Sequence, residues 1–376
     1  MGDNIEFTAV DLFAGAGGFS LAAILAGFNV RFAVENDKHA SETYKKNICE
    51  RLSQNRTALY SEDITELSAK KLRLKHFRDT DCDLMLGGPP CQGFSAHRIL
   101  GSGVDDPRNK LILEYFKFVK VLKPKVFLME NVPGILWPRH QEYLDQFYDQ
   151  ATRSGYNTFP PVTLDARDFG VPQRRKRVFV LGVREDLALA GLDWPLAASH
   201  VKPNSKLGKK PTWVNCSSVF WEAPKNDPND RHMRHTEEII RAFQNTPKNG
   251  GSRKDSGRVL PCHKGHDGHK DVYGRIDPSA PAPTMTTACI NPSKGRFVHP
   301  EENHGITVRQ AARIQTFPDH FIFYGGLIAS GKQIGNAVPV KMGNSIVTHI
   351  RDFISQNQQE SPKVSRTQKK NRSRAA

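Results

Sequence analysis

Cysteine is scarce in this chain, and the six that occur, Cys49, Cys82, Cys91, Cys216, Cys262 and Cys289, follow no framework spacing. That argues against a disulfide-stapled secreted domain and for a reduced compartment. No apolar run is long enough to cross a bilayer as a helix, so no membrane partner is expected. The N-terminus opens on Gly2-Asp3-Asn4 and not on a basic n-region, so no signal peptide is expected. Acid is also in deficit. Against 54 Lys+Arg stand 39 Asp+Glu, a net charge of +15, which favours a polyanionic partner. These absences leave a soluble intracellular protein, with room in 376 residues for two domains or for one large domain carrying an insertion.

What is present centres on residues 87–95, GGPPCQGFS, which follow the apolar run 83–86. Two glycines and two prolines suit a sharp turn, since Gly tolerates positive φ while Pro fixes φ and removes a donor. Cys91 in such a turn is placed to reach a substrate. A buried free cysteine is the alternative, because Cys packs as a small hydrophobe.

Upstream, residues 8–13 read as a strand that ends in the glycine turn Ala14-Gly15-Ala16-Gly17-Gly18. A helix over 19–26 and a second strand over 30–34, ending in Glu35, complete the opening of a nucleotide-type βαβ unit. The glycines sit at offsets different from the dinucleotide fingerprint. Asp63 falls where a third strand should end, so Asp11, Glu35 and Asp63 are expected to face one crevice at the carboxyl edge of a doubly wound sheet. Downstream, a helix over 110–121 is stopped by Pro124, and a buried strand over 126–129 delivers Glu130-Asn131. The basic run Gln173-Arg174-Arg175-Lys176-Arg177 enters a strand over 178–181, whose alternation aims Arg175 and Arg177 to the same side.

These blocks together resemble the DNA (cytosine-5)-methyltransferases, of the compact type found in bacterial restriction-modification systems. The matching residues are Asp11-Leu12-Phe13-Ala14-Gly15-Ala16-Gly17-Gly18, Glu35, Asp63, GGPPCQGFS, Glu130-Asn131-Val132, Gln173-Arg174-Arg175-Lys176-Arg177, the run 307–319 (TVRQAARIQTFPD) and Gly335-Asn336-Ala337-Val338-Pro339. They stand in the family's order. The resemblance implies an α/β fold with a doubly wound, mostly parallel, Rossmann-like sheet and a smaller irregular target recognition domain inserted. The expected division is 1–185 catalytic and cofactor-binding, 186–300 recognition, 301–354 a return to the catalytic domain, and 355–376 a disordered basic tail.

It also implies a reaction. Cys91 adds as a thiolate to carbon 6 of cytosine, so that carbon 5 becomes nucleophilic towards the methyl of S-adenosylmethionine. Glu130 protonates or hydrogen-bonds ring nitrogen 3, and Arg175 and Arg177 hold the cytosine carbonyl or the flanking phosphate by their forked donors. By the same resemblance Phe13, Ala14, Gly15, Gly17, Glu35, Asp63, Ile64, Pro90, Leu111, Asn336 and Ala337 line the cofactor site, with Glu35 on the ribose and Asp63 on the adenine amino group. The target base must leave the stack of double-stranded DNA to reach the thiol, and the loop 92–108 is the expected cover. Gln92, Ser95, Arg98, Arg241 and Arg258 are expected DNA contacts. The enzyme is expected to be a cytoplasmic monomer, nucleoid-associated when on DNA, whose cognate restriction endonuclease is a functional and not a physical partner.

Residues 186–300 are rich in Pro, Gly, Asn, Lys and His and show weak periodicity. Cys262, His263, His266 and His269 lie close together but without the paired spacing of structural zinc sites, so no metal is expected. An amphipathic helix is expected over 306–316, and a last helix near 342–354 that packs back on the first half. Two other readings use the same residues: methyl transfer to tRNA, and a catalytically silent DNA-binding scaffold, against which an intact Cys91 and Glu130 argue.

Overall fold

The structure is a computed structural model that describes residues 6–52, 56–78, 80–90, 111–205, 209–256 and 271–360. Its frame is one sheet, and the strands form it because their apolar runs can be buried on both faces. In β1 (Phe7–Leu12) and β5 (Val126–Asn131) nearly every side chain is buried, the pattern of a sheet covered by helices on both sides. The chain runs β1, α1 (Gly18–Leu25), β2 (Phe28–Val34), α2 (Lys38–Tyr44) with a π-helical extension over Lys45–Glu50, β3 (Ala58–Tyr60), α3 (Ala69–His76) and β4 (Leu84–Gly87). It continues through α4 (Leu111–Leu122), β5, α5 (Gln141–Arg153), β6 (Tyr156–Thr158), β7 (Val162–Asp165) and β8 (Lys176–Arg184). After these come α6 (Glu237–Asn245), α7 (Val308–Ile314), α8 (Leu327–Asn336) and α9 (Val340–Glu360).

Among the described residues the strand order is β3-β2-β1-β4-β5-β8-β6, with β7 paired to β8. Strands β1 to β5 are mutually parallel. Strand β8 alone is reversed, antiparallel to β5, β6 and β7. That reversal matters for the site. The carboxyl ends of β1, β2, β4 and β5 lie in register (Leu12 opposite Val34 and Gly87, Gly87 opposite Met129), and the amino end of β8 arrives at the same edge, Asn131 opposite Val178.

Helix α9 packs on α1. Gly343 makes this possible, since a Cβ there would come within 2.9 Å of Ala22 Cβ, and Asn344 Nδ2 donates to Ala22 O at 3.2 Å. The expected return of the last helix to the first half is thus what the structure has. It runs on to Glu360, however, so the first six residues of the expected disordered tail are helical, and 361–376 lie outside the described residues. The helix expected over 306–316 is shorter and is buried on nearly all sides. Its cations are taken up inside: Arg309 is fully buried against Asp227, and Arg313 pairs with Asp319 while its guanidinium lies 3.5 Å from the Trp221 ring centroid.

The described part of 186–300 is irregular, with α6 its one α-helix. Its apolar side chains Val219, Ile276, Met285 and Phe297 share a core with Ala14, Tyr44, Ile48 and Ile334 of the sheet domain. No helix among the described residues is long and apolar enough to cross a membrane.

Candidate active site

The first βαβ unit makes one end of the crevice at the carboxyl edge of the sheet. Strand β1 ends at Leu12; Phe13 after it takes φ 59°, and the turn continues through Gly15 (φ 56°) and Gly17 (φ 96°). The turn is tied to β2: Ala14 N–H donates to Val34 O at 3.0 Å, and Gly15 N–H donates to Glu35 Oε2 at 2.8 Å. Asp37 N–H donates to the other oxygen of Glu35 at 2.7 Å. Burial pushes the Glu35 carboxyl up, against the pull of these two backbone donors. Gly17 is needed for contact with α2, as a Cβ there would come 3.0 Å from the Tyr44 ring, whereas a Cβ on Gly15 would meet nothing within 4 Å. The turn is therefore packed on one side and open on the other.

Asp63 is exposed and caps the short turn Ile64–Glu66, accepting from Thr65 N–H at 2.9 Å; that bond and the Thr65 hydroxyl hold its carboxyl below the usual range. Ile64 is buried beside it, and Leu111, at the first turn of α4, packs against the same core. The segment after α8 closes the turn from above. A Cβ on Gly18 would lie 2.7 Å from Val338 O, so Asn336-Ala337-Val338 passes directly over the start of α1, with Asn336 itself exposed. Asp11, expected in the crevice, lies beneath it instead: it is 1% exposed, accepts from Ser20 Oγ at 2.6 Å, and burial raises its pKa to about 7.

The second half of the site lies at the ends of β4, β5 and β8. Glycine at the end of β4 is dictated by Tyr115 of α4, since a Cβ on Gly87 would come 2.6 Å from its ring. Gly88 N–H donates to Leu12 O at 3.3 Å, and a Cβ on Gly88 would lie 3.2 Å from Glu130 Oε2. The turn leading into Pro90 therefore runs against the Glu130 carboxyl. Asn131, which sequence reasoning quoted without a role, is buried and donates through Nδ2 to Pro89 O at 3.3 Å. Nothing in the sequence marks that bond beyond the position of Asn131 next to Glu130.

Arg177 pairs with Glu130, Nε to Oε1 at 2.8 Å, with both side chains mostly buried. Burial raises the Glu130 carboxyl above its ordinary range, while Arg177 and the more distant Arg175 pull it down. Arg175 departs from the sequence expectation. Its guanidinium is 1% exposed and donates to three backbone carbonyls, Met285 O at 2.9 Å, Gly335 O at 2.7 Å and Ala337 O at 2.9 Å. Arginine's terminal donors are satisfied as readily by converging carbonyls as by a base, and here the carbonyls take Nη1 and Nη2, while Nε is buried with no hydrogen-bond partner among the described residues. Arg241 is exposed on α6 beside Glu237. Cys91, Gln92, Ser95, Arg98, Arg258 and the group Cys262, His263, His266 and His269 lie outside the described residues. Among the described residues no group of three or more His, Cys, Asp or Glu side chains is arranged to hold a metal ion.

This geometry, a nucleotide-type turn beside a buried acid–arginine pair, coincides with what the chain resembles. The profile of the family described as C-5 cytosine-specific DNA methylase matches residues 7–352. The chain belongs to that family. Among curated relatives, a type II methyltransferase of Haemophilus parahaemolyticus, M1.HphI, is 34% identical over 345 residues, 91% of this chain and 86% of the relative. M.MthTI of Methanothermobacter thermautotrophicus is 34% identical over 347 residues, 90% of this chain and 95% of that one. Among solved structures, one described as a DNA modification methyltransferase encoded within a prophage (E. coli) has a TM-score of 0.66 at 26% identity, covering 93% of this chain and all of that chain. Spodoptera frugiperda DNMT2, at 16% identity and a TM-score of 0.59 over 92% of this chain, shares the fold.

A C-5 cytosine methylase transfers a methyl group to carbon 5 of cytosine in DNA, and its methyl donor is S-adenosylmethionine. The residues present fit that donor. The open side of the Gly15 turn leaves room for a nucleoside, and the Glu35 and Asp63 carboxylates supply acceptors for hydroxyl and amino groups.

Proposed function

We propose that this chain methylates one cytosine within a specific sequence of double-stranded DNA through a covalent Cys91 adduct, and that the modification protects DNA from a cognate restriction endonuclease. The observation that supports the mechanism most directly is the buried Glu130, paired with Arg177 and lying against the Gly88 turn that leads to Cys91. S-adenosylmethionine, when bound, supplies an electrophilic methyl group. The task of the protein is to make carbon 5 nucleophilic.

In this reading the Cys91 thiolate forms a bond to carbon 6, and electron density moves through the ring towards nitrogen 3. Glu130, held towards its protonated form by burial, donates a proton or hydrogen bond there and offsets the developing charge. Arg177 holds the Glu130 carboxyl by Nε while its Nη1 donates to Lys176 O at 2.8 Å, and from that position the guanidinium reaches towards the cytosine carbonyl. Carbon 5 takes the methyl group as the carbon–sulfur bond to it breaks, releasing S-adenosylhomocysteine. A base then removes the carbon-5 proton, the bond from Cys91 to carbon 6 breaks to release the thiolate, and any proton given to nitrogen 3 returns to Glu130. Phe13, Ala14, Gly15, Gly17, Glu35, Asp63, Ile64, Pro90, Leu111, Asn336 and Ala337 hold the methyl donor. Gln92, Ser95, Arg98, Arg241 and Arg258 contact DNA, with 92–108 closing over the flipped base and 186–300 reading sequence. The names of the relatives, type II methyltransferases, support the restriction-modification role and the cytoplasmic, nucleoid-associated setting.

The test uses duplexes in which cytosine is replaced by 5-fluorocytosine, because fluorine cannot leave as a proton does. Wild-type protein with S-adenosylmethionine is expected to give a denaturation-resistant adduct that Cys91→Ser does not form, and mapping the adduct gives the target sequence. Adducts on structured RNA and on no duplex would replace this reading with a tRNA substrate. Adducts on neither would leave a DNA-binding scaffold.

A further inference from the structure

With Arg275 and Arg309, Arg175 is among the largest fully buried side chains of the described residues, and its position is costly. Removing a guanidinium from water costs several kcal/mol unless it is fully compensated, and neutral carbonyls compensate less well than a carboxylate. Arg177 nearby adds like-charge repulsion. A site serving packing alone would be filled more favourably by an apolar side chain. What the guanidinium does achieve is geometric: two of its three acceptors, Gly335 O and Ala337 O, flank Asn336, and the third, Met285 O, belongs to the segment that ends the inserted region.

Two glutamines complete the junction. Gln173 accepts from Met285 N–H at 2.8 Å and donates to Gln315 Oε1 at 2.8 Å, while Gln315 donates to Ala337 O at 3.1 Å. The backbones also meet directly, since a Cβ on Gly335 would lie 2.3 Å from the carbonyl carbon and oxygen of Thr286. The turn that carries Asn336 and the 285–287 segment therefore form one rigid unit, with Arg175 at its centre.

We propose that Arg175 is a positioning residue, which locks the Gly335-Asn336-Ala337 turn to the end of the inserted region and so couples DNA engagement to occupation of the cofactor crevice. This rests on the reading of Asn336 as a cofactor contact and of the insert as the DNA-reading region. Coupling of this kind is reciprocal: DNA tightens S-adenosylmethionine by the factor by which S-adenosylmethionine tightens DNA.

The experiment measures S-adenosylmethionine affinity with and without cognate duplex for wild type and Arg175→Lys, with amide hydrogen exchange over both segments. Lysine keeps the charge but loses the fork. The expected result is a wild-type affinity about tenfold tighter with duplex, within the usual range of such couplings, falling towards no difference in Arg175→Lys. Exchange should rise together at 335–338 and 285–288. A coupling factor unchanged in a folded Arg175→Lys overturns the proposal, as does a wild type whose affinity ignores duplex. So does a variant that keeps the coupling but no longer distinguishes a duplex with the target cytosine from one abasic there, which would put Arg175 on the base. Should Arg175→Lys not fold, Gln315→Met removes a donor from the same Ala337 carbonyl and is read by the same outcomes. Asn336→Ala separates the two levels: unchanged S-adenosylmethionine affinity there means that the cofactor reading of the turn is wrong, whereas the exchange data still report on the Arg175 junction.

Discussion

In the proposed role of Glu130 as proton donor its carboxyl must be protonated, and two opposed influences set how long that lasts as pH rises. Burial raises its pKa and Arg177 lowers it. Arg177→Met removes the lowering influence, so the alkaline limb of the kcat/KM profile should move to higher pH even as the maximal rate falls; a limb that stays in place would separate the ion pair from the chemistry. Glu130→Gln, which cannot deliver the proton, should lose about 10²-fold or more in kcat while duplex binding persists. Asp11 carries a second pH dependence, on stability. Its pKa rises from the ordinary 3.8 to about 7 on folding, so within that window the native state keeps a proton that the unfolded chain has released. Stability therefore falls as pH rises from 3.8 towards 7, by roughly 4 kcal/mol in all. Asp11→Asn should flatten that part of the melting temperature against pH, and parallel curves for the two proteins would show that Asp11 does not titrate there. Glu130 and Arg177 were legible in the sequence because a strand-end acid and an alternating basic run restrict where the side chains can go. The task of Arg175 was not, since its carbonyl partners return 110 and 160 residues later in the chain.

Strand β4 shows how an element fixes a site. It is four residues long, buried throughout, and ends where Tyr115 and Leu12 O leave no space for a side chain at Gly87. Gly87→Ala forces either the ring or the strand end to move, at about 1–3 kcal/mol of stability. Because the same strand end leads to Cys91, activity at saturating substrates should fall further than the folded fraction does, which a comparison of melting curves with kcat would reveal; a variant with full kcat when folded would show that the ring gives way and not the strand. The strand-turn-helix-strand opening could be read from sequence, since periodicity and glycine position are local properties. The reversal of β8 could not. Direction depends on how the chain reaches the strand, and β6 and β7 intervene with too few apolar residues to announce themselves. Likewise, α7 reads as amphipathic because of Arg309 and Arg313, whose partners Asp227 and Asp319 become visible only when the chain is folded.

The excess of basic charge is a property of the whole chain, yet its use is uneven. Several cations are committed inside the fold, among them Arg175, Arg275, Arg309 and Arg313, and these cannot reach a phosphate without unfolding their surroundings. The charge that attracts DNA must come from elsewhere, and residues 361–376 hold Lys363, Arg366, Lys369, Lys370, Arg372 and Arg374 with no acid among them. Because α9 extends to Glu360, a truncation that tests this segment should end there; one ending at Ser355 would also cut the helix that packs on α1. Each phosphate neutralised contributes about 0.9 to the slope of log affinity against log salt. Deleting 361–376 should therefore leave the melting temperature unchanged and lower that slope by at least about 1, and by about 5 if all six cations engage the backbone. Affinity for cognate and unrelated duplexes should fall by the same factor, as phosphate contacts carry no base information. Superimposable salt plots for the full and truncated chains would mean that the segment does not touch DNA and that the attraction arises from exposed cations of the folded part.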